Sequence, residues 1–540
     1  MTTPWGVWPE VAVGGQTLSD EVVARLERVV VDHDALRPDM FELTLRDPER
    51  TVIAQAGARI GGELRITATA AGGGAEEELI LGDITALEAD LDASGNRVLI
   101  RGYDRSHRFT RGIRTETYRD VTDSDIARTL AQRAGIAVGN IEDTPVVHPL
   151  VSQVNSSDWD FLQSRAREVG YVAAVVSGKL DFHPPVDSGE APEPGMLDSS
   201  DPLQLVLGAD LETFRPRLSS SGQVASVEVR GWSPERKDAV VGTADATTRR
   251  ARLADEPAAL AGLFGEHRWL ATDHAYAHQA EVDGAAAALA DRVASSFAEA
   301  EGRARGNPRL RAGQAVSVAL VGERFEGRYL LSATRHVFDE HGYRTHLAIT
   351  GAQDRSLLGL ASNGNGERRI PGVVTGIVTA VDDPDGRGRV KLRFPWLSES
   401  YETAWARVAQ VSAGGDRGSA FPPEVGDEVL VAFEQGEIRS PYVLGGLYNG
   451  VDAPDLGGSL TEGGSVRRRG VKTVAGHQLV FIEGGSTAVE LTASGDILIK
   501  ASGDVAIEAG GTLDLTAQRG ITIDAGAGDV TVSGRTIRLN

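Results

Sequence analysis

The sequence predicts a mainly β protein with some α-helix, which ends in a β-helix that three identical chains wind together as an intertwined homotrimer. Three observations lead to this fold class. An eight-residue repeat occupies the last fifty-odd residues, five short strand-like runs lie between Ile370 and Gly450, and strand-like runs mix with a few capped helices before them. Five short strands in about eighty residues suit a small closed barrel of the OB type.

The region before Ile370 contains the first predicted elements. Strand-like runs lie at Val29–Val31, Phe41–Leu45, Glu63–Ala70, Leu79–Ile84 and Val98–Tyr103, with a hairpin turn at 92–96. A capping residue, apolar spacing and a terminal glycine predict helices from Thr122 to near Gly135 and from Ser157 to Gly170. A third, alanine-rich helix is predicted from about Gly284 to Ala300. The loops 186–202 and 361–369 are rich in Gly, Pro, Ser and charge, and the second indicates a domain boundary.

The predicted barrel follows this boundary. Its strands are Val373–Val381, Arg389–Phe394, Ala404–Val411, Glu428–Phe433 and Tyr442–Leu447. The segment 382–386 offers a turn between the first two strands, and 423–427 offers one before the apolar alternation of Val429, Val431 and Phe433. We expect these residues to shape a barrel and to carry no chemistry.

The repeat places two branched aliphatic residues on one side of each copy. Alternation at period two is typical of a strand with one buried face. The residues expected in the core of a trimeric spike are Val489, Leu491, Ile497, Ile499, Val505, Ile507, Leu513, Leu515, Ile521, Ile523, Val530, Val532, Ile537 and Leu539. The glycines expected at the repeat turns, where a residue free to take positive φ is needed, are Gly495, Gly503, Gly511 and Gly528.

Eight residues supply only one strand and one corner, whereas one turn of a single-chain β-helix needs roughly twenty. A lone chain would therefore leave its aliphatic face in water. Three chains close a triangular prism in which each layer buries about six aliphatics, worth about 1.5–3 kcal/mol apiece and about 9–18 kcal/mol per layer as an upper bound. A calcium-binding nonapeptide solenoid is the rival interpretation, because Asp496, Asp504 and Asp529 follow glycines. It needs paired glycines and a nine-residue period, so it is disfavoured.

Length and composition limit the number of domains and the classes of partner and site that the protein can have. The 540 residues predict about three to four domains. A net charge of −22 argues against nucleic acid or an anionic membrane as a partner. The absence of cysteine excludes disulfides and thiolate metal sites. We find no signal-peptide pattern at the start and no apolar run of eighteen residues, so we expect cytoplasmic synthesis.

Three stretches resemble the spike proteins of contractile injection machines, which are the VgrG proteins of type VI secretion and the fused hub-spikes of phage-like extracellular systems. Residues 101–112 (RGYDRSHRFTRG), 121–135 (VTDSDIARTLAQRAG) and 156–171 (SSDWDFLQSRAREVGY) look like the baseplate hub of that family. Residues 370–397, 402–410 and 421–450 are similar to its OB barrel, and the octad repeat is the third likeness, in the family's order.

The resemblance implies a baseplate hub-like region over 1–360 with two barrel-like subdomains and helices, a linker at 361–369, an OB barrel over 370–450, a linker at 451–470 and an octad spike over 471–540. It implies a non-enzymatic homotrimer that joins a hexameric tail tube to a puncturing tip and pierces a target envelope when the sheath contracts. Its implied partners are the tail tube protein, baseplate proteins and a separate PAAR-like tip protein. It implies assembly into a phage tail-like particle that is kept in the cell or released, with no stable membrane insertion before firing. The type of machine and its target stay open.

Several residues could carry chemistry, and for each a structural role is favoured. His274 and His278 stand four apart on an expected helix, a spacing that could bind a metal, and His336, His341 and His346 flank strands near a turn. The first pair has no convincing third ligand and a metal is disfavoured for both sets, so we expect no metal, no cofactor and no catalytic residue.

Two basic clusters raise the question of anion binding. The first cluster comprises Arg101, Arg105, His107, Arg108, Arg111 and Arg114. Acidic residues follow it at Glu116, Asp120, Asp123 and Asp125, so internal or intersubunit salt bridges are favoured over binding of phosphate or nucleic acid. The second, 467–469, is either a docking patch or pairs with neighbouring carboxylates.

Two other classes of function compete. A phage tailspike that degrades polysaccharide is also trimeric and β-helical, but it needs long solenoid turns with paired carboxylates. An OB-fold nucleic-acid-binding protein is disfavoured, because 370–450 holds eleven acidic residues against seven basic ones. The segment between the barrel and the repeat is too short for a muramidase domain, which would cleave glycan with an Asp/Glu pair. The last strand ends the chain, so we expect no terminal effector.

Overall fold

The protein is mainly β, as predicted, in a computed structural model that describes residues 8–92, 95–195, 201–354 and 369–538. The chain divides into two compact units, Met1–Leu447 and Tyr448–Asn540. Residues 361–368 of the expected linker, the turn residues 93–94, part of the loop 186–202 and Leu539 lie outside the described residues.

Residues 8–354, which we call the hub region, alternate strands with six helices in the part described. The strands are β1 (Glu10–Val13), β2 (Gln16–Thr17), β3 (Leu26–Asp34), β4 (Met40–Arg46), β5 (Glu63–Thr69), β6 (Glu76–Asp92), β7 (Gly95–Asp104), β8 (Arg114–Val121), β9 (Ala137–Ile141), β10 (His148–Ser156), β11 (Val172–Val176), β12 (Lys179–His183), β13 (Gln204–Val206), β14 (Leu211–Leu218), β15 (Ser226–Ser233), β16 (Asp238–Asp245), β17 (Ala251–Arg252), β18 (Arg268–Ala271), β19 (Ala298–Arg305), β20 (Ala315–Ala319), β21 (Gly327–Leu330), β22 (Ala333–Asp339) and β23 (Gly342–Ile349). The helices are α1 (Asp20–Val23), α2 (Val52–Gln55), α3 (Asp123–Ala134), α4 (Asp158–Val169), α5 (Pro257–Gly262) and α6 (Gln279–Ala294).

One eleven-stranded sheet runs through the hub region, in the order β14-β19-β23-β22-β3-β4-β7-β6-β5-β1-β2. The five runs predicted as strands lie in β3 to β7. Alternate residues of these strands, such as Phe41, Leu43 and Leu45, are fully buried, because one face of the sheet forms the main core. The antiparallel pairing of β3 with β22, with Val29 opposite Phe338, joins the two halves of the hub region into one sheet.

The two capped helices form where they were predicted. Thr122 and Asp125 make a reciprocal capping box at the start of α3, and the Ser157 side chain accepts a hydrogen bond from the Asp160 amide at the start of α4. Both helices end at a glycine in the left-handed region, Gly135 with φ 64° and Gly170 with φ 73°.

The bounds predicted for the third helix are wrong at both ends. α6 begins five residues earlier, at Gln279 rather than Gly284, where the Glu281 carboxylate accepts hydrogen bonds from the backbone amides at 277 and 278. It ends at Ala294, and the alanine at 298 already starts β19, which pairs with β14 on one side and β23 on the other. Sheet pairing thus overrides the helix propensity of alanine.

The OB barrel forms as predicted, with the strands β24 (Val373–Ala380), β25 (Lys391–Arg393), β26 (Arg407–Val408), β27 (Ala413–Gly414), β28 (Arg417–Gly418), β29 (Glu428–Phe433) and β30 (Pro441–Gly446). Five of them follow the order β25-β24-β29-β30-β26, and isolated bridges from Val390 to Ala406 and from Arg393 to Glu402 close the sheet. The expected alternation is buried: Val429, Val431 and Phe433 pack with nine-tenths or more of their surface covered.

The second unit contains the strands β31 (Thr461–Glu462), β32 (Ser465–Val466), β33 (Arg468–Lys472), β34 (Gln478–Ile482) and β35 (Val489–Thr492). β33, β34 and β35 form an antiparallel meander. From 493 to 538 the chain forms neither helix nor strand.

Candidate functional site

The aliphatic row of the repeat lies on the surface of the single chain. Val489 and Leu491 belong to β35, opposite Phe481 and Leu479 of β34. The other described members follow in 493–538, and each side chain of the row from 489 to 537 is 51 to 74% exposed. A regular run of exposed branched aliphatics is unusual for a monomeric protein, because large exposed apolar surfaces mark sites of interaction.

The chain changes direction in this segment every eight residues. Bends lie at Ser494–Gly495, Ser502–Gly503, Gly510–Gly511 and Gln518–Arg519, and a turn lies at 526–528. The positive φ expected at Gly495, Gly503, Gly511 and Gly528 is wrong, since positive values occur at Gly520 and Gly526 instead. A Cβ atom added at the first three of these glycines would meet nothing within 4 Å, so sterics in the single chain do not demand glycine there.

A chain of charged side chains joins the hub region to the barrel. We call it the hub–barrel junction and define it as Arg165 and Glu168 of α4, His274 before α6, and Glu437 and Arg439 between β29 and β30. Arg165 pairs with Glu168, and the Arg439 guanidinium lies 3.4 Å from a Glu168 oxygen and 2.7 Å from a Glu437 oxygen. The other Glu437 oxygen lies 2.9 Å from His274 Nδ1.

The junction is buried yet ionised. Burial alone would raise the pKa of Glu437, but the hydrogen bond with His274 and the charge of Arg439 outweigh it and lower the pKa to about 2. The pKa of Asp123 is lowered in the same way. Burial raises it, but the charge of Arg165 and the hydrogen bond with His148 outweigh burial and bring the pKa to about 2. Carboxylates held in this state bind cations and do not act as general acids near neutral pH.

A second contact zone lies in the segment between β25 and β26. The buried Tyr401 hydroxyl lies 3.1 Å from the Ser152 hydroxyl of β10. Arg119 of β8 lies 3.3 Å from the Glu402 carboxylate, which also accepts a hydrogen bond from Thr379 within the barrel. Two polar contact zones thus fix the barrel on the hub region.

Sequence reasoning missed this junction. A signal was present, because Arg165 is an almost fully buried charge within the apolar spacing of α4, and such a charge requires a partner. Glu168 pairs with Arg165 on the same helix, but its other partner, Arg439, lies 271 residues away along the chain, so the sequence pattern could not supply its identity.

The candidate histidines make separate contacts of different kinds. The sequence analysis placed His274 and His278 on a helix, and this is wrong. Both residues precede α6, which starts at Gln279. His336 is buried between Tyr343 and the Leu310 carbonyl, at 2.9 and 3.0 Å, whereas His346 lies opposite residue 335 on the neighbouring strand. Among the described residues, no group of three or more His, Asp or Glu side chains could hold a metal ion.

The first basic cluster makes internal salt bridges, as favoured from the sequence. The carboxylates it uses are mostly not the nearby acidic residues. The pairs are Arg101 with Glu42 and Glu88, Arg105 with Glu63, His107 and Arg108 with Asp83, and Arg114 with Asp158. Arg111 lies 3.3 Å from the ring of His107.

The second basic cluster is also paired within its own unit. Arg467 lies 3.3 Å from Glu462, Arg469 lies 3.1 Å from Glu483, and Arg468 donates a hydrogen bond to the Leu456 carbonyl. These contacts agree with the alternative that residues 467–469 pair with neighbouring carboxylates. Within the ranges that the structure describes, no helix is both long and apolar enough to cross a membrane.

Two family models match the chain. Residues 7–340 match the model described as Alg8 N-terminal domain. Residues 374–448 match the type VI secretion system/phage-baseplate injector OB domain, which is the closed barrel described above.

Curated relatives are spike proteins of type VI secretion systems. The chain is 40% identical over 74 residues to VgrG2a of Pseudomonas aeruginosa, covering 13% of this chain and 9% of that protein. It is 34% identical over 137 residues to VgrG1c of the same organism, covering 22% and 19%. It is 42% identical over 69 residues to VgrG3 of Vibrio cholerae, covering 12% and 7%. The matches thus span less than a quarter of each relative's length.

Solved structures with a similar fold include an Escherichia coli component of the type VI secretion system, described as similar to the phage T4 tail proteins gp27 and gp5. It has a TM-score of 0.49 at 16% identity and covers 82% of this chain and 98% of its own. The 43 kDa tail protein of a Shewanella oneidensis prophage has a TM-score of 0.47 at 12% identity and covers 63% and 98%.

The injector OB domain and the matches to VgrG spike proteins make this chain similar to the spike proteins of contractile injection systems, as the resemblance in the sequence predicted. The Alg8 N-terminal domain model covers more than half of the chain, and the chain therefore belongs to that family.

Proposed function

We propose that three copies of this chain form the hub-spike that joins a hexameric tail tube to a puncturing tip and pierces a target envelope when the sheath contracts. The observation that carries the proposal is the aliphatic row at 489–537, which is more than half exposed in the single chain. A row repeated every eight residues requires a partner with the same repeat, and a second and third copy of the chain supply it.

The bends support the same arrangement. Their eight-residue spacing matches one strand and one corner per copy, which is the geometry of a three-sided prism. Each layer would bury about six aliphatics, with about 9–18 kcal/mol per layer as an upper bound. Trimerisation is therefore the condition under which 493–538 gains strands.

The hub–barrel junction fits a mechanical role. A spike must pass force from the tube to the tip without bending between its domains. The paired charges of Arg165, Glu168, Glu437 and Arg439 and the contact of Tyr401 with Ser152 fix the barrel at two places. The ionised carboxylates of this site stiffen the joint, and the proposal assigns the protein no enzymatic activity.

The partners in the proposal follow from the likeness to spike proteins. The hub region binds the tail tube protein and baseplate proteins, and a separate PAAR-like tip protein covers the end of the prism. Such a cover fits a prism lined by aliphatics, because its last layer presents an apolar cross-section. The particle is assembled inside the producing cell, without stable membrane insertion before firing.

A matched pair of variants tests the trimer. The double substitution Ile507→Asp with Leu515→Asp places six carboxylates inside the proposed prism, whereas Ala506→Asp with Asp514→Asn alters only its outer face. We expect a trimer by light scattering for the natural chain and for the outer-face variant, and loss of the trimer for the inner-face variant.

The two variants alter the same stretch of the single chain, where both faces are exposed. Equal behaviour of the two would therefore contradict the buried row. A stable monomer of the natural chain would refute the proposal itself.

A further inference from the structure

Two buried histidines lie where the two halves of the hub region meet. We call the pairing of β3 with β22 the seam, in which His33 lies opposite Thr334 and Val31 lies opposite His336. Both histidines have more than nine-tenths of their surface covered, and their rings meet edge to face with centres 5.2 Å apart. Because His336 is fully buried, water reaches its ring when the structure around it opens.

The hydrogen bonds of His336 fix its neutral form. Nε2 lies 3.0 Å from the Leu310 carbonyl, which can only accept, so this nitrogen carries the proton. Nδ1 then accepts a hydrogen bond from the Tyr343 hydroxyl at 2.9 Å. The hydroxyls of Thr334 and Thr345 lie beside the ring, at 3.4 and 3.3 Å. A second proton would make Nδ1 a donor, and the hydrogen bond from Tyr343 would be lost.

The charged groups near His336 oppose that second proton. His33 faces it across the seam, and Nδ1 of His33 lies 2.7 Å from the Asp39 carboxylate, so Asp39 stabilises a proton on His33. The Arg311 guanidinium adds a positive charge from the segment between β19 and β20. Burial, the charge of His33 and the charge of Arg311 hold the pKa of His336 well below its usual range.

One further titratable group, Asp104, lies next to Asp39. Burial and the charge of Asp39 raise the pKa of Asp104 well above its usual range. The Asp104 amide donates a hydrogen bond of 2.9 Å to the Asp39 carbonyl, and its carboxyl group contacts the Ser106 hydroxyl at 2.5 Å. All three residues belong, like His33, to residues 8–195, so opening of the seam leaves their contacts with one another in place.

We propose that the seam is a proton-sensitive joint, which is closed near neutral pH and opens in acid when His336 takes up a proton. Closed, the seam would hold the new imidazolium beside His33 and Arg311, whereas the open seam gives it to water. The pKa of His336 is below its ordinary value of 6.5 in the closed seam. Its contribution to closure is therefore fully present above about pH 6.5 and is lost as the pH falls below it. The joint belongs to the single chain and does not depend on the proposed trimer.

Hydrogen exchange of the full chain at about pH 7.5 and about pH 5.5, corrected for the intrinsic exchange rate, tests the proposal. The Ala35 amide donates a hydrogen bond of 3.0 Å to the Ser332 carbonyl across the seam, so its protection reports opening. A group that takes up a proton with a pKa of about 6.5 in the open form alone raises the opening constant about tenfold over this range.

We therefore expect the protection of the Ala35 amide to fall about tenfold between the two conditions. The Ile84 amide is the reference within the same chain, because it donates a hydrogen bond of 2.8 Å to the Gly62 carbonyl away from the seam. Its protection should change by less than about twofold.

His336→Gln removes the titrating group, while its neutral amide can still donate to Leu310 and accept from Tyr343. In this variant the protection of Ala35 should change by less than about twofold over the same range. His341→Gln is the matched control at an exposed histidine between β22 and β23, and it should keep the change of about tenfold.

Constant protection of Ala35 in the natural chain, or a fall that persists in His336→Gln, overturns the proposal. Should His336→Gln fail to fold, the natural chain decides by itself. A fall at Ala35 alone supports the joint, and an equal fall at Ala35 and Ile84 overturns it, because acid would then loosen the whole hub region.

Discussion

Within the hub–barrel junction, we expect removal of the Arg439 side chain to cause the largest loss of stability. Arg439→Met keeps the aliphatic stem and removes the ion pairs with Glu168 and Glu437 at 3.4 and 2.7 Å. It also removes the cation that lies over the Tyr276 ring, at 5.4 Å from its centre. Glu168 then keeps Arg165, and Glu437 keeps His274.

The expected cost follows from the burial of the pairs. Removing one partner of a buried ion pair costs about 3–5 kcal/mol, because the other charge stays behind. The Arg439 side chain is 21% exposed and each carboxylate keeps its second cation, so we take the lower end, about 3 kcal/mol. A change of this size raises the equilibrium constant for opening the junction about a hundredfold.

Hydrogen exchange measured by mass spectrometry reads this opening directly. The Ala275 amide donates a hydrogen bond of 3.1 Å to Glu437 across the junction and exchanges when the junction opens. In Arg439→Met we expect exchange at this amide to speed up about a hundredfold. Arg393→Met, at an exposed arginine of β25, is the control and should leave it unchanged. Acceleration of less than about threefold in Arg439→Met would refute the reasoning.

Three further outcomes are expected. Glu437, with its pKa lowered from 4.5 to about 2, contributes stability that is fully present above about pH 4.5 and is lost as the pH falls toward 2. Urea unfolding across this window should show a smaller pH dependence in Glu437→Gln, and an equal dependence would contradict the assignment. Phe394→Ala empties a fully buried site of the barrel and should cost about 3–5 kcal/mol, followed by fluorescence of the adjacent Trp396; a cost below about 1 kcal/mol would contradict the packing. Gly102→Ala sets a Cβ atom against the Asp83 carbonyl and the Phe41 ring, so we expect little soluble protein; a normal yield with an unchanged circular dichroism spectrum would contradict the close approach.

Local patterns in the sequence predicted much of the fold. The capped helices at Thr122 and Ser157 and the alternating residues Val429 and Val431 depend on neighbours within one or two turns, and the structure confirms them. The exposed row that the repeat forms is equally a property of the sequence, because period two fixes which side chains share a face. The family resemblance rested on the same stretches.

Other features were decided by residues far apart in the chain. The sequence could not show that β3 pairs with β22, that Arg105 uses Glu63 rather than a nearby carboxylate, or that the alanine at 298 belongs to a strand. Each depends on which strands lie side by side, and neighbouring strands come from distant parts of the chain.

The sequence by itself determined the barrel, the capped helices and the apolar row at 489–537. Only the tertiary structure decided the hub–barrel junction, because a buried charge reveals that a partner is needed while chain folding selects that partner. Glu168 and Arg439 meet across 271 residues for this reason.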